Sequence, residues 1–320
     1  MNTSKTLQFA LLSLAVIGGM ILLPQGLGLY SVELLNIFLV NVILVCSYRM
    51  TVTTGDWGLA HIVMMGVGGY SAALLAKDAG FSIYLTIPAA GLIAAFVAYV
   101  MSLPLSRTVG FGYFIASFAI AELVRLSWLK FDTLFGGVRG LINIPIGKVF
   151  GYSLFDPVIY YYLSLAVAVI CLMLMFQIDR SRIGIVWRSL STDADLARSG
   201  GINVSYYRKL AFMCGSAFAG VAGALLVHRL GSVDPKGFDL TTMIYLVIWV
   251  VVGGTGSFWG PIAGLIVMTF FFEWTREFLA WRPLFFGGIL ILFLIFLPNG
   301  LDGLLRKLFD KVTSRGGAKQ

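Results

Sequence analysis

Long apolar runs separated by short polar stretches make up most of the chain. Most runs are long enough to cross about 30 Å of hydrocarbon as a helix that rises about 1.5 Å per residue. This pattern predicts an all-α, polytopic membrane protein with about ten membrane segments, one of them short or broken. The runs are residues 7–23, 32–48, 58–76, 83–103, 111–129, 157–176, 210–227, 244–252 (the short one), 261–278 and 284–297.

One long polar passage of mixed charge, residues 181–209, interrupts this pattern. Thr192 and Asp195 fit a capping box, Asp195 and Arg198 are spaced for a helical ion pair, and two glycines follow. We therefore expect a short helix over residues 193–199. Helical spacing places four apolar residues on one face, Val186, Leu190, Ala194 and Ala197. Such a face suits an element docked on another body, and a solvated loop between spans is the alternative.

Composition supports the membrane assignment and sets an orientation. Of 320 residues, 59% are hydrophobic and 12% charged, with a mean hydropathy of +0.91, whereas soluble domains carry roughly 25% charged residues. Because positive loops stay on the cytoplasmic side, the lysines and arginines predict cytoplasmic termini, a cytoplasmic 181–209 loop and an external 130–156 loop. Residues 1–305 form the permease domain of this prediction, and 306–320 a basic, disordered cytoplasmic tail. The net charge of +8 follows from this asymmetry, so nucleic-acid binding is not implied.

The first apolar run and the cysteines fit the same membrane pattern. Residues 7–23 have the length of a signal peptide's apolar core, but no A-x-A-like cleavage site follows, so we expect a retained span. Cys46, Cys171 and Cys214 fall in apolar runs, where a free thiol behaves as a small hydrophobic residue. Neither a disulfide framework nor a metal site is implied.

Glycines in the run at 58–76 leave room for another helix or a solute to approach the backbone closely. Gly66, Gly68 and Gly69 lie there, with a lone His61 near the cytoplasmic end. Small residues let membrane helices pack closely, and the same space can line a solute pathway, so both interpretations stay open. His61 is either a hydrogen-bonded interfacial residue or a proton relay.

Two opposite charges, Glu122 and Arg125, lie three residues apart in the run at 111–129 and share one helix face. A charge within a span is costly unless it is paired or faces water. The two residues are therefore either a structural ion pair or a polar lining of an outer vestibule. In the external loop, FGGVRGL at 135–141 allows tight turns around Arg139, whose guanidinium is either solvated or meets a carboxylate or a docking protein.

Small residues also mark the later runs. Gly215, Ala219 and Gly223 recur every four residues, which predicts a packing face. The stretch GGTGSFWGP at 253–261 breaks a helix, because glycine is flexible and proline lacks an amide hydrogen. No lysine follows Gly260, so this stretch is not a phosphate loop. The chain also lacks a Ser/His/Asp set and a Cys/His ligand cluster, so catalysis within it is not expected.

Six motifs occur in an order typical of one family. They are GLAHIVMMGVGGYSAALLA (58–76), YFIASFAIAEL (113–123), GGVRGL (136–141), GINVSYYRKLAF (201–212), GSAFAGVAGALL (215–226) and VVGGTGSFWGPIAG (251–264). In this order they resemble the LivM-type permease subunit of branched-chain amino acid ABC importers, a family that also includes urea and amide permeases. The resemblance covers about four-fifths of the chain, and the last three motifs in sequence are fairly specific.

The resemblance implies that residues 181–209 are an EAA-type coupling segment, in which a short cytoplasmic helix sits in a groove of an ATPase subunit. The family usually has an acidic residue where this chain has Ala194. Asp193 and Asp195 flank that position, and either can take the role of the acid. The implied coupling residues are Arg188, Asp193, Asp195, Ala197, Arg198, Gly201 and Asn203.

The implied function is ATP-driven import of branched-chain or other small amino acids, or related small polar solutes, across the bacterial inner membrane. The implied partners are a second permease subunit, two ATPase subunits and an external substrate-binding protein. No cofactor is expected on this chain, because ATP and magnesium would bind the ATPases. The solute stays open, since Val138 and Arg139 follow the glycine pair where the family has small polar or acidic residues, and Tyr245 replaces a common glutamate. The expected pathway residues are Gly66, Gly69, Tyr70 and Glu122, and the expected external docking residues are Gly136, Gly137 and Arg139.

A secondary transporter or facilitator is the alternative function. In that hypothesis Glu122, Arg125 and His61 would handle a coupling ion, and the helix broken at Gly253 would bind substrate. A membrane scaffold without transport activity is a third class. Transport that depends on ATP and on partner subunits separates the first hypothesis from the other two.

Overall fold

The computed structural model describes residues 18–149, 151–297 and 300–303. Most of the predicted first span lies outside the described residues, apart from a helical stretch at 18–22 that leads into a 3-10 turn at Leu23–Gly26. The predicted tail at 306–320 also lies outside them. The described part is dominated by helices and confirms the all-α prediction for a polytopic membrane protein.

The helices in chain order are α1 (Leu29–Val52), α2 (His61–Lys77), α3 (Ile83–Leu105), α4 (Phe111–Lys130), α5 (Asp132–Phe135), α6 (Pro157–Arg180), α7 (Arg182–Thr192), α8 (Ala194–Ser199), α9 (Val204–Leu230), α10 (Leu240–Gly253), α11 (Gly260–Trp274) and α12 (Arg282–Phe296). Further 3-10 turns lie at Gly137–Arg139, Pro235–Phe238 and Thr275–Trp281. Four two-residue strands complete the fold: β1 (Leu141–Ile142), β2 (Lys148–Val149), β3 (Tyr152–Ser153) and β4 (Ser232–Val233).

Five described helices are long and apolar enough to cross a membrane, namely α1, α3, α4, α6 and α9. The segment expected to be short, 244–252, is the 14-residue helix α10, which begins earlier because the Asp239 carboxylate accepts a hydrogen bond from the Thr242 amide at 2.9 Å. The predicted break is confirmed, since α10 ends at Gly253 and α11 begins at Gly260. The cysteines are free thiols within helices.

Helix α9 lies at the centre and packs against α1, α2 and α3. A Cβ atom at Gly223 would overlap the Met65 carbonyl oxygen of α2, and one at Gly220 would lie 2.5 Å from the Cβ of Ala94 in α3. A Cβ atom at Gly215 would lie 2.6 Å from Thr51 in α1. The small-residue stripe is therefore a packing face, as predicted, and it allows three helices to approach the α9 backbone closely.

Ion pairs define one end of the bundle, which we call the polar end. There Arg49, in the last turn of α1, pairs with Asp179, in the last turn of α6, at 2.9 Å. Asp56, between α1 and α2, pairs with Arg208, in the second turn of α9, at 2.8 Å. The polar helices α7 and α8 lie at this end.

The opposite end, which we call the sheet end, contains the short strands. Strand β1 pairs antiparallel with β4, so the segment after α4 lies against the turn that follows α9. Arg229, near the end of α9, pairs with Glu33, near the start of α1. The residues predicted to form the loop at 130–156 therefore contain a short helix, a 3-10 turn and strands rather than plain coil.

Candidate functional site

Helix α7 begins the polar passage and is firmly attached to the bundle. The Ser181 hydroxyl accepts a hydrogen bond from the Ile183 amide and caps the helix. Trp187 is 1% exposed, and its indole nitrogen donates to the Tyr207 carbonyl oxygen of α9 at 3.0 Å. Gly184 lies so close to the backbone of Asp179 that a Cβ atom there would overlap the carbonyl oxygen. Helix α7 thus turns back sharply on the end of α6.

A partly buried charge network joins α7 to the body of the bundle. The Arg188 guanidinium donates to the Asp179 carbonyl oxygen at 2.9 Å and to its carboxylate at 3.3 Å. The same carboxylate accepts from Arg49 of α1. Arg49 also donates to the Thr255 carbonyl oxygen at 3.1 Å, in the glycine-rich turn between α10 and α11. The Asp179 carboxylate therefore links α7, α6 and α1, and Arg49 extends the network to the α10–α11 turn.

Arg49 and Asp179 were not among the residues predicted for the site. Arg49 lies just beyond the apolar run at 32–48, whereas in the structure it lies inside α1 and is 2% exposed. A signal was available, because an arginine at the end of an apolar run requires a partner when the helix continues past it. The identity of that partner was not available, since Asp179 lies 130 residues further along the chain.

Helix α8 is held by caps at both of its ends. The Asp193 carboxylate accepts from the amides of Asp195 and Leu196, at 3.0 and 2.9 Å. Asp193, not Thr192, is therefore the N-cap, and Thr192 is the last residue of α7. The predicted capping box is wrong because Thr192 still has helical geometry and its hydroxyl donates to the Arg188 carbonyl oxygen.

The glycine stop predicted after α8 is confirmed and forms a Schellman motif. The Ile202 amide donates to the Ala197 carbonyl oxygen, and the Gly201 amide donates to that of Arg198, at 3.1 and 3.0 Å. Gly201 has φ +83°, a left-handed value that favours glycine. The Asn203 side chain then caps α9 by accepting from the Tyr206 amide at 3.0 Å.

The apolar face predicted for the passage is confirmed, but the expectation that this face docks on another body is wrong, because residues at the start of α9 cover it within this chain. Leu190, Ala197 and Val204 are buried together, and Val186, Ala194, Ile202 and Tyr207 pack against them. The opposite side of α8 faces outward: the side chains of Asp195 and Arg198 are 88% and 64% exposed, and Leu196 is 69% exposed. Asp195 and Arg198 form the predicted pair at 2.7 Å. Both are available to a partner, as are the exposed coupling residues Asp193, Gly201 and Asn203.

The pair of Asp56 and Arg208 closes the polar end beside α8. Burial raises the pKa of the Asp56 carboxyl, and Arg208 and the Thr54 hydroxyl oppose that rise. Because the pKa is raised overall, the effect of burial is larger than the opposing effect of the nearby guanidinium. Gly55, with φ +89°, brings this segment against Ser191 of α7, where a Cβ atom would lie 3.2 Å from the Ser191 Cα.

Two predicted pathway residues lie in an aromatic cluster towards the sheet end. The Tyr70 ring stacks on Trp128 at a centroid distance of 4.6 Å and meets Phe135 edge-on at 5.5 Å. A Cβ atom at Gly66 would lie 2.5 Å from Trp128 and 2.9 Å from Phe238. Tyr70 is 2% exposed, so these rings fill the space that the absent side chain of Gly66 leaves.

The other candidate residues contact different partners, outside this aromatic cluster. Gly69 lies against Val227 of α9, where a Cβ atom would come within 2.8 Å. Glu122 pairs with Arg125 on α4, the structural arrangement named among the alternatives. His61 is buried, and one ring nitrogen lies 2.9 Å from the Ser47 hydroxyl. Among the described contacts, none joins His61 to the charged pair on α4.

The predicted external docking residues form a tight turn. Gly136 and Gly137 have φ +75° and +58°, and a Cβ atom at either would overlap the Gly140 carbonyl oxygen or the Asp132 carboxylate. Arg139 ends the 3-10 turn and is exposed. Glycine is required at these positions by the backbone, which presents Arg139 at the surface of the sheet end.

Spanning helices packed on a small-residue centre, together with a polar helical passage at one end, define a multi-pass membrane protein. The chain belongs to the family described as branched-chain amino acid transport system, permease component, whose model matches residues 30–297. Members of this family are transport permeases rather than enzymes, and the membership places the chain in the inner membrane.

Named relatives agree with this family. The chain is 28% identical over 300 residues to the high-affinity branched-chain amino acid transport system permease protein LivM of Salmonella typhimurium, which covers 85% of this chain and 69% of that protein. LivM of Escherichia coli matches to the same extent. The permease protein BraD of Pseudomonas aeruginosa is 30% identical over 166 residues, 50% of this chain and 54% of BraD. No solved structure matches the chain.

Proposed function

We propose that this chain is one permease subunit of an ATP-driven importer that carries branched-chain or other small amino acids, or related small polar solutes. The observation that carries the proposal is the exposed helix α8, capped at both ends and joined to α7, whose Arg188 reaches the partly buried Asp179 carboxylate. ATPase subunits would bind α8, and their closure would move α7 and, through Asp179, the ends of α1 and α6. ATP and magnesium would bind the ATPases and not this chain.

The remaining parts of the transporter follow from the same proposal. The chain has about ten membrane segments with cytoplasmic termini, residues 1–305 form the permease domain, and 306–320 form a tail. A second, related permease subunit completes the pathway, and Gly66, Gly69, Tyr70 and Glu122 are the residues of this chain proposed to contribute to it, although the space at Gly66 is filled by aromatic rings in this structure. An external substrate-binding protein docks at the sheet end on the turn of Gly136, Gly137 and Arg139.

Reversing one charge on α8 tests the coupling. Asp195 is exposed and remote from the buried network, so Asp195→Arg should leave membrane insertion and the melting temperature unchanged. We expect it to reduce co-purification of the ATPase subunits. Asp78→Arg, the same change at an exposed position after α2, is the matched control and should leave co-purification intact. Equal co-purification of both variants with wild type would remove Asp195 from the interface.

Uptake into vesicles tests the function itself. Right-side-out vesicles that carry the assembled transporter should accumulate a branched-chain amino acid only when ATP is sealed inside. Uptake that persists without ATPase subunits and collapses with the proton gradient would contradict the proposal and favour an ion-coupled carrier.

A further inference from the structure

A cleft at the polar end lies between the end of α3, the start of α4 and the junction of α8 with α9. Its empty volume is about 500 Å³, a figure that includes open solvent. Three cationic residues line it, Arg198, Arg208 and Lys209, together with the hydroxyl-bearing residues Tyr113 and Ser205. This concentration of hydrogen-bond donors and positive charge suits an anion.

The cations of the cleft are only partly neutralised. Arg198 pairs with Asp195 at 2.7 Å, and Arg208 pairs with Asp56 at 2.8 Å. Among the described residues no carboxylate pairs with Lys209, so the cleft keeps an uncompensated charge. Helix α9 also begins at the cleft, and the positive end of its dipole adds to the potential there.

The surface beside the cleft is apolar. Leu103 of α3, Val109 of the connecting turn and Phe111 of α4 are 44%, 66% and 75% exposed. They lie at the polar end of two helices that are long and apolar enough to span a membrane, where headgroups are expected to meet hydrocarbon. A cationic cleft beside exposed apolar side chains matches a molecule with a phosphate and acyl chains, whereas a free phosphate requires no such apolar surface.

We propose that this cleft binds the phosphate of an anionic phospholipid, with Lys209 as the main cation and the acyl chains along α3 and α4. Basic pockets between membrane helices are suited to such headgroups. The bound lipid lies under the junction of α8 and α9 and braces it against the bundle. This site does not depend on ATPase coupling, so each proposal stands or fails alone.

Lipid titration of the purified full-length chain, followed by native mass spectrometry, tests the site. Wild type should bind phosphatidylglycerol more tightly than phosphatidylcholine. Lys209→Gln should weaken phosphatidylglycerol binding roughly fivefold, the contribution of one interfacial lysine, and Lys209→Arg should retain it. Lys130→Gln, at the other end of α4, is the matched control and should bind as wild type does.

Three results would overturn the proposal. Lys209→Gln binding as tightly as wild type would remove the main cation from the site. Equal weakening by Lys130→Gln would show that only net charge matters. Displacement of the lipid by equimolar inorganic phosphate would show that a free anion, and not a lipid headgroup, is the occupant.

Discussion

Helices α7 and α8 are neighbours in the chain, yet they are attached in different ways. Helix α7 is held by contacts with the bundle: the buried Trp187 reaches the α9 backbone, and the partly exposed Arg188 reaches Asp179. Helix α8 is held by its own caps and a small apolar cluster, while Asp195 and Arg198 face outward. The difference separates an element that moves with the bundle from one whose surface is left for another molecule.

The interactions that stabilise the two helices also differ in energy. A buried ion pair that loses one partner leaves a charge without compensation, which is strongly destabilising. A helix of six residues is marginal in water by itself, and exposed ion pairs contribute little. Contacts that stabilise the fold are therefore concentrated at α7, whereas α8 offers exposed side chains that a partner can recognise. Substitutions in the two helices should affect different measurements.

The largest effect is expected for Asp179→Ala. It removes the carboxylate shared by Arg49 and Arg188 and leaves the Arg49 guanidinium buried without a counter-charge. Breaking such a pair costs about 3–5 kcal/mol, measured as the free energy of unfolding of the purified chain in mixed detergent. Asp195→Ala, on α8, is the control and should change this free energy by less than about 0.5 kcal/mol.

Restoring part of the polarity refines this test. Asp179→Asn keeps an acceptor for both guanidinium groups but removes the charge. Its free energy of unfolding should therefore lie between those of wild type and Asp179→Ala. If Asp179→Ala unfolds at the same denaturant concentration as wild type, the network does not hold α7, and the contrast between the two helices is lost.

A pair of glycines gives the second comparison. Gly184 of α7 lies against the Asp179 backbone, so Gly184→Ala forces overpacking and should cost about 1–3 kcal/mol. Gly201, after α8, has open space around it, and Gly201→Ala meets only the left-handed strain, about 1–2 kcal/mol, with no steric overlap added. Unfolding measurements should rank the two variants in this order. The reverse order would mean that the close approach at Gly184 relaxes easily.

Local features of this region were predictable from the sequence. The Asp195–Arg198 pair, the glycine stop and the apolar face depend on residues within a few positions of each other, where helical spacing determines the contact. The cap was predicted one residue early because Thr192 and Asp193 are both good caps, and spacing alone did not choose between them. The spans were predictable from hydropathy for the same local reason.

Contacts between distant segments were not predictable. The apolar runs ended at residues 48 and 176, whereas α1 and α6 continue to Val52 and Arg180. The extra turns carry Arg49 and Asp179, which looked like loop charges until the fold paired them. The glycines of α2 were compatible with packing and with a pathway, and only the positions of Trp128 and Phe238 show what fills that space.

A smaller effect is expected for Asp193→Ala. The substitution leaves the first amides of α8 without their acceptor, which costs about 1 kcal/mol of local helix stability. Hydrogen exchange at the Leu196 amide should accelerate severalfold, while the amides of α7 keep their rates. Asp193→Asn, which retains a capping oxygen, should exchange as wild type does. Acceleration that extends into α7 would show that the two helices open as one unit.

The smallest effect on stability is expected when the exposed charges of α8 are exchanged. In Asp195→Arg/Arg198→Asp the ion pair can still form at the same spacing, so the free energy of unfolding should change by less than about 0.5 kcal/mol. The positions of the exposed negative and positive charges are exchanged, however. An ATPase that contacts Asp195 and Arg198 individually should therefore still fail to co-purify. If the double variant co-purifies with the ATPase but Asp195→Arg does not, the ion pair stabilises α8 and the partner does not contact the two charges directly. Co-purification of both variants at the wild-type level would leave Leu196 as the exposed α8 contact to test.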